Sequence, residues 1–169
     1  MSLARRLIKQ DNINTDCIIP ARFKHSLSDE KELCEHLFYD IDTDFHNKVQ
    51  PGDYLVAGAN FGCGSSREQA PRAIKAVGVR AVIAKSFDRI FYRNAFNIGL
   101  CLVECETNYI DDMDELELDL EKNTLKNLSK GVFLDIKPIP GIMRKFLSKG
   151  GVLEYFREKG GFEDVGIRG

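Results

Sequence analysis

Residues 54–77 of this chain read YLVAGANFGCGSSREQAPRAIKAV, and the order of apolar and glycine residues in this stretch decides the fold. Residues 54–58 have the length and the apolar, β-branched character of a buried strand. Residues 68–77 carry apolar or small side chains at helical spacing, so the glycines between them lie on a strand-to-helix turn. The pattern therefore predicts an α/β unit with a glycine-rich turn between its two elements.

The turn itself has the composition of an anion-binding site. Gly62 and Gly64 allow positive φ angles and a close approach of a ligand to the backbone. Ser65 and Ser66 supply two hydroxyls, and the guanidinium of Arg67 can hold a carboxylate with two parallel hydrogen bonds. We therefore predict that a small anion binds at this turn.

A purely structural interpretation of the same turn fits its spacing equally well. Ser65 and Glu68 have the spacing of a capping box, in which the serine only caps the helix that follows. Pro71 would remove an internal hydrogen bond from a continuous helix, so it predicts a new helix after a short irregular turn at 65–69. The spacing alone leaves both interpretations open.

Known nucleotide and hydrolase motifs do not match the turn. A Walker loop requires Lys followed by Ser or Thr after its last glycine, whereas Gly64 is followed by Ser65. A dinucleotide fingerprint requires a third glycine at the position of Arg67, and the G-x-S-x-G elbow of serine hydrolases is missing. The sequence therefore predicts a ligand other than a nucleotide.

Composition predicts a single domain over residues 1–169, because this length and 43% apolar residues suffice for one core. The formal net charge of −2, with acidic and basic residues interspersed, argues against a nucleic-acid-binding protein. No run approaches the roughly 18 to 20 apolar residues of a membrane helix, and residues 1–10 lack the apolar centre of a signal peptide. We therefore expect a cytoplasmic protein without membrane or nucleic-acid partners.

Three blocks of the sequence resemble one protein family. They read DNINTDCIIPARF at 11–23, NFGCGSSREQAP at 60–71 and AVIAKSFDRIFYRNAFNIGL at 81–100. In order and spacing they are similar to the small subunits of 3-isopropylmalate dehydratase and their relatives, the homoaconitase small subunits and the C-terminal swivelling domain of aconitase. The likeness covers essentially the whole chain. The residues alone predict only alternating α/β elements, and the resemblance implies the swivelling β/β/α fold.

The resemblance also implies an activity and a partner. Members of this family belong to hydro-lyases that interconvert 2-isopropylmalate and 3-isopropylmalate through an alkene, in leucine biosynthesis. The [4Fe-4S] cluster of these enzymes is carried by a large subunit, which the small subunit joins as a heterodimer or heterotetramer. The resemblance therefore implies that this chain is active only with that large subunit and binds no metal or cofactor itself.

By the same resemblance, Ser65 corresponds to the family's catalytic serine, whose alkoxide removes a proton from the carbon next to a substrate carboxylate. Ser66 and Arg67 match its substrate-carboxylate contacts, and Asp16 matches an aspartate of the active site. A serine is a weak base in water, so its anion requires stabilisation, which backbone N–H groups and the guanidinium can supply. For Asp16, an Asx turn linking two strands is the structural alternative.

Residues 21–26 correspond to the segment that distinguishes substrates in this family. Homoaconitase-like members place an arginine there, whereas isopropylmalate-type members place apolar residues. This chain departs from both, since Phe23 is followed by Lys24 and His25. Lys24 and His25 are predicted either to bind an additional substrate carboxylate or to point into solvent. Homoaconitase, 2,3-dimethylmalate-type and citramalate-type substrates are therefore alternatives to 3-isopropylmalate.

The five cysteines predict structural thiols rather than a metal or redox centre. They include no C-x-x-C pair, and an odd number suits reduced thiols better than a disulfide framework. We expect most of them to be buried, with Cys63 alone near solvent or substrate. A carboxylate-binding module without catalysis and a thiol-based redox or metal protein are the other two classes of function considered.

The rest of the sequence predicts further elements. A strand is expected over 3–9, a short buried segment at 18–19, a mobile loop over 20–31, and a helix over 31–38 capped by Ser28 or Asp29. Strands are predicted over 79–85 and 100–104, a helix over 88–98 ended by Gly99, a hairpin from 116–120 and 124–128, and two closing helices over 141–147 and 152–159.

Overall fold

The computed structural model describes residues 2–6, 11–23 and 29–159, and a four-stranded parallel sheet lies at its centre. The strands are ordered β1-β2-β3-β4 and pair in regular register, with Leu55 opposite Val82. Because the strands are parallel, their carboxyl ends lie along one edge of the sheet. The bounds are Ala4–Arg6 (β1), Tyr54–Val56 (β2), Ala81–Ala84 (β3) and Leu102–Glu104 (β4).

Alternate residues of these strands enter two separate cores, because successive side chains of a strand point to opposite faces of the sheet. Leu55, Val82 and Leu102 belong to one core, in which the sheet packs against helices. Tyr54 and Ile83 belong to the other, in which the sheet packs against a second sheet. The layers are therefore antiparallel sheet, parallel sheet and helices, which confirms the predicted β/β/α fold.

The second sheet consists of three antiparallel strands in sequence order, β5 (Leu116–Asp119), β6 (Thr124–Asn127) and β7 (Val132–Asp135). Strands β5 and β6 form the predicted hairpin, with Leu118 opposite Leu125. Strand β7 was not predicted from the sequence. Its four residues alternate in burial, and one of them, Leu134, is fully buried.

The described residues contain seven helices, and two of them begin or end where the sequence predicts. Asp29 caps the second helix by accepting the N–H of Lys31, and Gly99 follows the fifth helix with a φ of +75°. The helices are α1 (Thr15–Ile18), α2 (Glu30–Glu35), α3 (Phe45–Lys48), α4 (Gln69–Ala76), α5 (Arg89–Asn97), α6 (Gly141–Lys149) and α7 (Val152–Lys159). The single-turn helix α3 was not predicted.

The predicted capping box is wrong. Helix α4 begins at Gln69, with Glu68 in the cap position, so Ser65 lies three residues outside the cap. Pro71 is the third residue of α4, where the helix does not use the backbone N–H that proline lacks. The new helix after an irregular turn is therefore confirmed, but it begins two residues earlier than Pro71.

The segment that follows β1 differs in detail from its prediction. Ile18 and Ile19 are buried as expected, and Ile18 ends helix α1. Asn14, not Asp16, caps α1, because its Oδ1 accepts the N–H of Cys17 at 2.8 Å. The Asx-turn interpretation of Asp16 is therefore wrong.

Parts of two predicted segments lie outside the described residues. Of the strand expected over 3–9, the structure describes residues 3–6, and β1 covers Ala4–Arg6. In the loop expected over 20–31, a 3-10 turn covers Ala21–Phe23 and α2 begins at Glu30, whereas 24–28 are outside the described residues. Within the described part of the chain, no helix is both long and apolar enough to cross a membrane.

Candidate active site

Three segments, which follow β1, β2 and β3, meet at the carboxyl edge of the parallel sheet. Asn14 forms an isolated parallel bridge with Cys63, and Phe61 forms another with Phe87. In open sheets of parallel strands, ligands bind at this edge. The glycine-rich turn, defined from here on as residues 60–68, lies between the other two segments.

The backbone of the glycine-rich turn is packed closely against helix α5. Gly62 has a φ of +81°, and its N–H donates to the carbonyl oxygen of Ile13 at 2.8 Å. A Cβ atom at this position would lie 2.2 Å from Cγ of Phe91, far inside van der Waals contact. Only glycine fits here, because both the backbone angle and the space exclude a side chain.

Ser65 and Ser66 are exposed at the tip of the glycine-rich turn. The carbonyl oxygen of Ser65 accepts a hydrogen bond from Oγ1 of Thr15 at 2.8 Å. Nδ2 of Asn94, on α5, lies 3.4 Å from Oγ of Ser66 and donates to it. Ser65 caps no helix. Its side chain is exposed at the carboxyl edge of the sheet, and its backbone carbonyl is fixed by the hydrogen bond from Thr15.

Asp16 and Arg67, which the sequence predicts as substrate-binding residues, meet in the structure. Nη1 of Arg67 lies 2.5 Å from Oδ1 of Asp16. These two atoms are buried and form an ion-pair contact without the alignment of a hydrogen bond. The Arg67 side chain is 15% exposed, whereas that of Asp16 is 49% exposed. The ion pair therefore holds the guanidinium against the sheet edge beside the two serines.

Helix α5 closes the other side of the site. Asp88 caps it, since its Oδ1 accepts the N–H groups of Ile90 at 2.8 Å and Phe91 at 3.2 Å. The first N–H groups of α5 are therefore satisfied within the chain. A narrow cleft remains between the turn and α5, and the residues that line it include Thr15, Gly64, Ser66, Arg67, Asp88 and Asn94.

Three residues of this site were not predicted as such: Thr15, Asp88 and Asn94. Each lies inside one of the three sequence blocks, Thr15 in 11–23 and Asp88 and Asn94 in 81–100, but the resemblance assigned no role to them. A helix start is visible at Asp88, and Asn94 lies on a predicted helix. No local signal indicates that Thr15 and Asn94 contact the glycine-rich turn, because those contacts join segments far apart in the sequence.

The predicted specificity residues Lys24 and His25 lie outside the described residues. The chain before them is well anchored: the ring of Phe23 stacks on His36 with centroids 3.8 Å apart, and Arg22 forms an ion pair with Asp40. Phe23 is also in edge contact with Tyr39. Whether Lys24 and His25 bind a carboxylate therefore stays a prediction.

The cysteines are free thiols, but fewer are buried than the sequence suggests. Cys105 is buried, whereas the other four are partly buried, so the expectation that Cys63 alone lies near solvent is wrong. Burial raises the pKa of the Cys63 thiol above its ordinary value, and it raises those of Cys101 and Cys105 to about 12. Thiols with raised pKa are poor nucleophiles at neutral pH, which argues against thiol-based redox chemistry.

Metal-binding side chains do not gather in the described residues. Across 2–6, 11–23 and 29–159, no three His, Cys, Asp or Glu side chains lie close enough to hold a metal ion. The glycine-rich turn provides hydroxyls, a guanidinium and backbone N–H groups, which bind anions rather than cations. The groups at the turn are therefore of the kind that suits an anionic ligand such as a carboxylate.

Known proteins similar to this chain identify both its superfamily and its family. Residues 5–108 match the family model of the aconitase C-terminal domain, so the class is that of the aconitase superfamily. The 3-isopropylmalate dehydratase small subunit of Caldicellulosiruptor bescii is 56% identical over 149 residues, covering 87% of this chain and 89% of the relative. The small subunit 2 of Archaeoglobus fulgidus is 52% identical, over 89% of this chain and 91% of its own.

A solved structure agrees with these relatives. The crystal structure of 3-isopropylmalate dehydratase from Methanocaldococcus jannaschii is 43% identical to this chain and matches it with a TM-score of 0.89, covering 94% of this chain and 93% of its own. The chain belongs to the family of 3-isopropylmalate dehydratase small subunits, which confirms the resemblance of the three sequence blocks.

Proposed function

We propose that this chain is the small subunit of a hydro-lyase that interconverts 2-isopropylmalate and 3-isopropylmalate in leucine biosynthesis. The observation that carries the proposal is the exposed pair Ser65 and Ser66 beside Arg67, with Arg67 held by Asp16, in a chain of this family. The names of the relatives do not favour the homoaconitase or other substituted-malate alternatives. Ser65 is exposed and caps no helix, and a non-catalytic binding module would not require a serine in such a position.

The proposed partner is the large dehydratase subunit, in a heterodimer or heterotetramer in the cytoplasm. The [4Fe-4S] cluster that we assign to this partner would supply a Lewis acid for the departing hydroxyl. The cysteines of this chain do not fit the cluster, because no three of them lie together and those with shifted pKa are stabilised as thiols. This chain therefore contributes the base and the substrate contacts.

In the proposed site, Arg67 orients the substrate. A guanidinium has five N–H donors, and Asp16 contacts Nη1. Nε and Nη2 have no hydrogen-bond partner among the described residues, so they are free to bind both oxygens of one substrate carboxylate. Ser66 lines the same cleft as Arg67, its Oγ accepts a hydrogen bond from Asn94, and its hydroxyl donates to the same carboxylate in this proposal. This geometry would place the carbon next to the carboxylate close to Ser65.

Ser65 then acts as the proton acceptor. Its alkoxide takes the C–H proton next to the carboxylate, the electron pair of that bond forms the C=C bond, and the hydroxyl on the neighbouring carbon leaves with its bonding electrons as hydroxide. The proton taken by Ser65 and the departing hydroxide together make up the eliminated water, and loss of that proton restores the alkoxide. Returning the proton and the hydroxyl to exchanged carbons gives the isomer. Backbone N–H groups of the glycine-rich turn and the positive charge of Arg67 stabilise the alkoxide. This stabilisation is strong only in a site with little water.

The isolated chain leaves this site open. The cleft between the turn and α5 has essentially no room for a water molecule, whereas a complete small-molecule site usually encloses about 300 Å³ or more. Ser65 and Ser66 are exposed to solvent. A second protein surface must cover them before the alkoxide is shielded from water, which agrees with activity only in the presence of the large subunit.

Reconstitution tests the proposal. We expect the purified chain to bind no stoichiometric iron and to show no dehydratase activity. Activity on 2-isopropylmalate should appear when a large subunit with an intact cluster is added, and it should exceed activity on homoaconitate, 2,3-dimethylmalate and citramalate. Turnover by the chain alone, or a preference of the pair for homoaconitate, 2,3-dimethylmalate or citramalate, would contradict the proposal.

Replacement of Arg67 by Lys should mainly weaken substrate binding. Lysine keeps the charge but loses the planar fork that holds two carboxylate oxygens, so we expect KM to rise about tenfold or more. Steady-state kinetics of the reconstituted enzyme measure this change. The matched control is Arg157→Lys on α7, the same chemical change at an exposed position. An equal effect of the two substitutions on KM would be inconsistent with carboxylate binding by Arg67.

A further inference from the structure

Thr15 is the residue that ties the glycine-rich turn to helix α1. Its side chain is almost fully buried, at 2% exposure, although a threonine carries a polar hydroxyl. That hydroxyl donates to the carbonyl oxygen of Ser65 at 2.8 Å, and the N–H of Thr15 donates to the carbonyl oxygen of Cys63 at 2.9 Å. One buried residue therefore holds two carbonyls of the turn, those of Cys63 and Ser65.

The position of the Thr15 hydroxyl follows from how α1 begins. The segments around Asn14 and Cys63 pair like two parallel strands, and the bond from Thr15 N–H to Cys63 is one step of that ladder. The next step would join the N–H of Cys17 to the carbonyl of Ser65. Cys17 N–H is instead directed to the cap of α1 on Asn14. The Thr15 hydroxyl donates in its place and extends the ladder by one step to Ser65.

Holding that carbonyl determines the orientation of one peptide unit. A trans peptide is planar, and its C=O and N–H groups point in opposite directions. With the Ser65 carbonyl turned towards Thr15, the N–H of Ser66 points away from Thr15, and the ψ angle of Ser65 is set. The direction in which the Ser65 side chain leaves the backbone is therefore coupled to the Thr15 hydroxyl.

We propose that Thr15 is a positioning residue for the dehydratase reaction, which acts by orienting the peptide between Ser65 and Ser66 so that the Ser65 oxygen meets the substrate C–H bond. The inference rests on the proposed role of Ser65 as the base. Thr15 itself touches no reacting atom. Its effect should fall on kcat rather than on KM, because the carboxylate is held by Arg67 and Ser66 and the serine must be aligned for proton transfer.

The chain contains a matched control for this hydrogen bond. Thr107 is also fully buried, and its Oγ1 donates to the carbonyl oxygen of Ala57 at 2.9 Å. Both bonds join a threonine to a carbonyl 50 residues away in the sequence. The carbonyl that Thr107 contacts lies just after β2, outside the glycine-rich turn. Replacing either threonine by valine removes a buried hydroxyl and keeps the shape of the side chain.

The test compares Thr15→Val, Thr15→Ser and Thr107→Val in the complex reconstituted with the large subunit. We expect Thr15→Val to lower kcat about tenfold or more with KM nearly unchanged, and Thr15→Ser to restore kcat because it keeps the donor. Thr107→Val should lower the thermal midpoint by an amount similar to Thr15→Val and leave kcat per assembled complex unchanged. If Thr15→Val does not assemble, Thr15→Ala against Thr15→Ser gives the same comparison.

A parallel measurement on Ser65→Ala separates the inference from the proposed function. If Ser65→Ala is inactive and Thr15→Val keeps wild-type kcat, the role of Thr15 is wrong and the serine base stands. If Ser65→Ala keeps wild-type kcat, both ideas are wrong. Equal losses of kcat in Thr15→Val and Thr107→Val, or no recovery in Thr15→Ser, would show that Thr15 has only a structural role.

Discussion

Ser65→Ala is expected to lower kcat of the reconstituted enzyme by about a hundredfold or more, with KM and subunit assembly nearly unchanged. A general base acts in the transition state for proton removal, so its loss reduces the rate of the chemical step and leaves substrate binding to Arg67 and Ser66. Steady-state kinetics on 2-isopropylmalate, with assembly followed by size-exclusion chromatography, measure both quantities. This is the largest effect on activity that we predict for a single exposed side chain.

The structure makes this experiment easier to interpret than the sequence does. A serine that caps a helix contributes about 1 kcal/mol to stability, but Ser65 lies outside the cap of α4. Ser65→Ala should therefore change the free energy of unfolding by no more than about 0.5 kcal/mol. Ser148→Ala, at an exposed serine on α6, is the matched control and should leave kcat unchanged. A Ser65→Ala complex that turns over at the wild-type rate would exclude the mechanism.

Gly62→Ala should produce the largest loss of stability. The residue has a φ of +81°, and the added Cβ would lie 2.2 Å from Cγ and 2.6 Å from Cβ of Phe91. Those atoms are close to the helix backbone and cannot move away as the end of a flexible side chain can. A left-handed backbone angle costs a non-glycine residue about 1 to 2 kcal/mol, and overpacking adds about 1 to 3 kcal/mol. We expect a total loss of about 2 to 5 kcal/mol.

Gly131→Ala is the control that separates the two contributions. Gly131 has a φ of +67°, and a Cβ atom there would have no neighbour within 4 Å. Its substitution should cost only the backbone contribution, about 1 to 2 kcal/mol. Urea unfolding of both variants, analysed with a common m-value, gives the difference. If Gly62→Ala is no more destabilising than Gly131→Ala, the close packing of the glycine-rich turn against Phe91 is not as described.

The helices and strands that the sequence predicts correctly are those whose ends or period are encoded locally. The strand, turn and helix over residues 54–77 are visible because a glycine-rich turn interrupts an apolar run and a helical period follows. Helix α5 is delimited by Asp88 at its start and Gly99 at its end. The hairpin of β5 and β6 alternates in hydrophobicity around its turn. In each case the signal lies within a few residues of the element.

The elements that the sequence does not predict are short or depend on distant partners. Helix α3 has only four residues, and the first three residues of strand β7 are all apolar, so neither shows a usable period in the sequence. The capping box at Ser65 is a matching local pattern that the structure does not use. Helix α4 begins at Gln69, and the Ser65 carbonyl accepts a hydrogen bond from the hydroxyl of the distant residue Thr15.

The sequence by itself determined the family, the α/β class, and the chemical character of the turn that carries Ser65, Ser66 and Arg67, because these depend on residue types in a contiguous stretch. The tertiary structure decided that Arg67 pairs with Asp16, that Thr15 holds the Ser65 carbonyl, and that Ser65 caps no helix. The physical reason is that parallel strands bring their carboxyl ends together at one edge of the sheet. Contacts between segments about 50 residues apart form there, and no local period or turn signal encodes them.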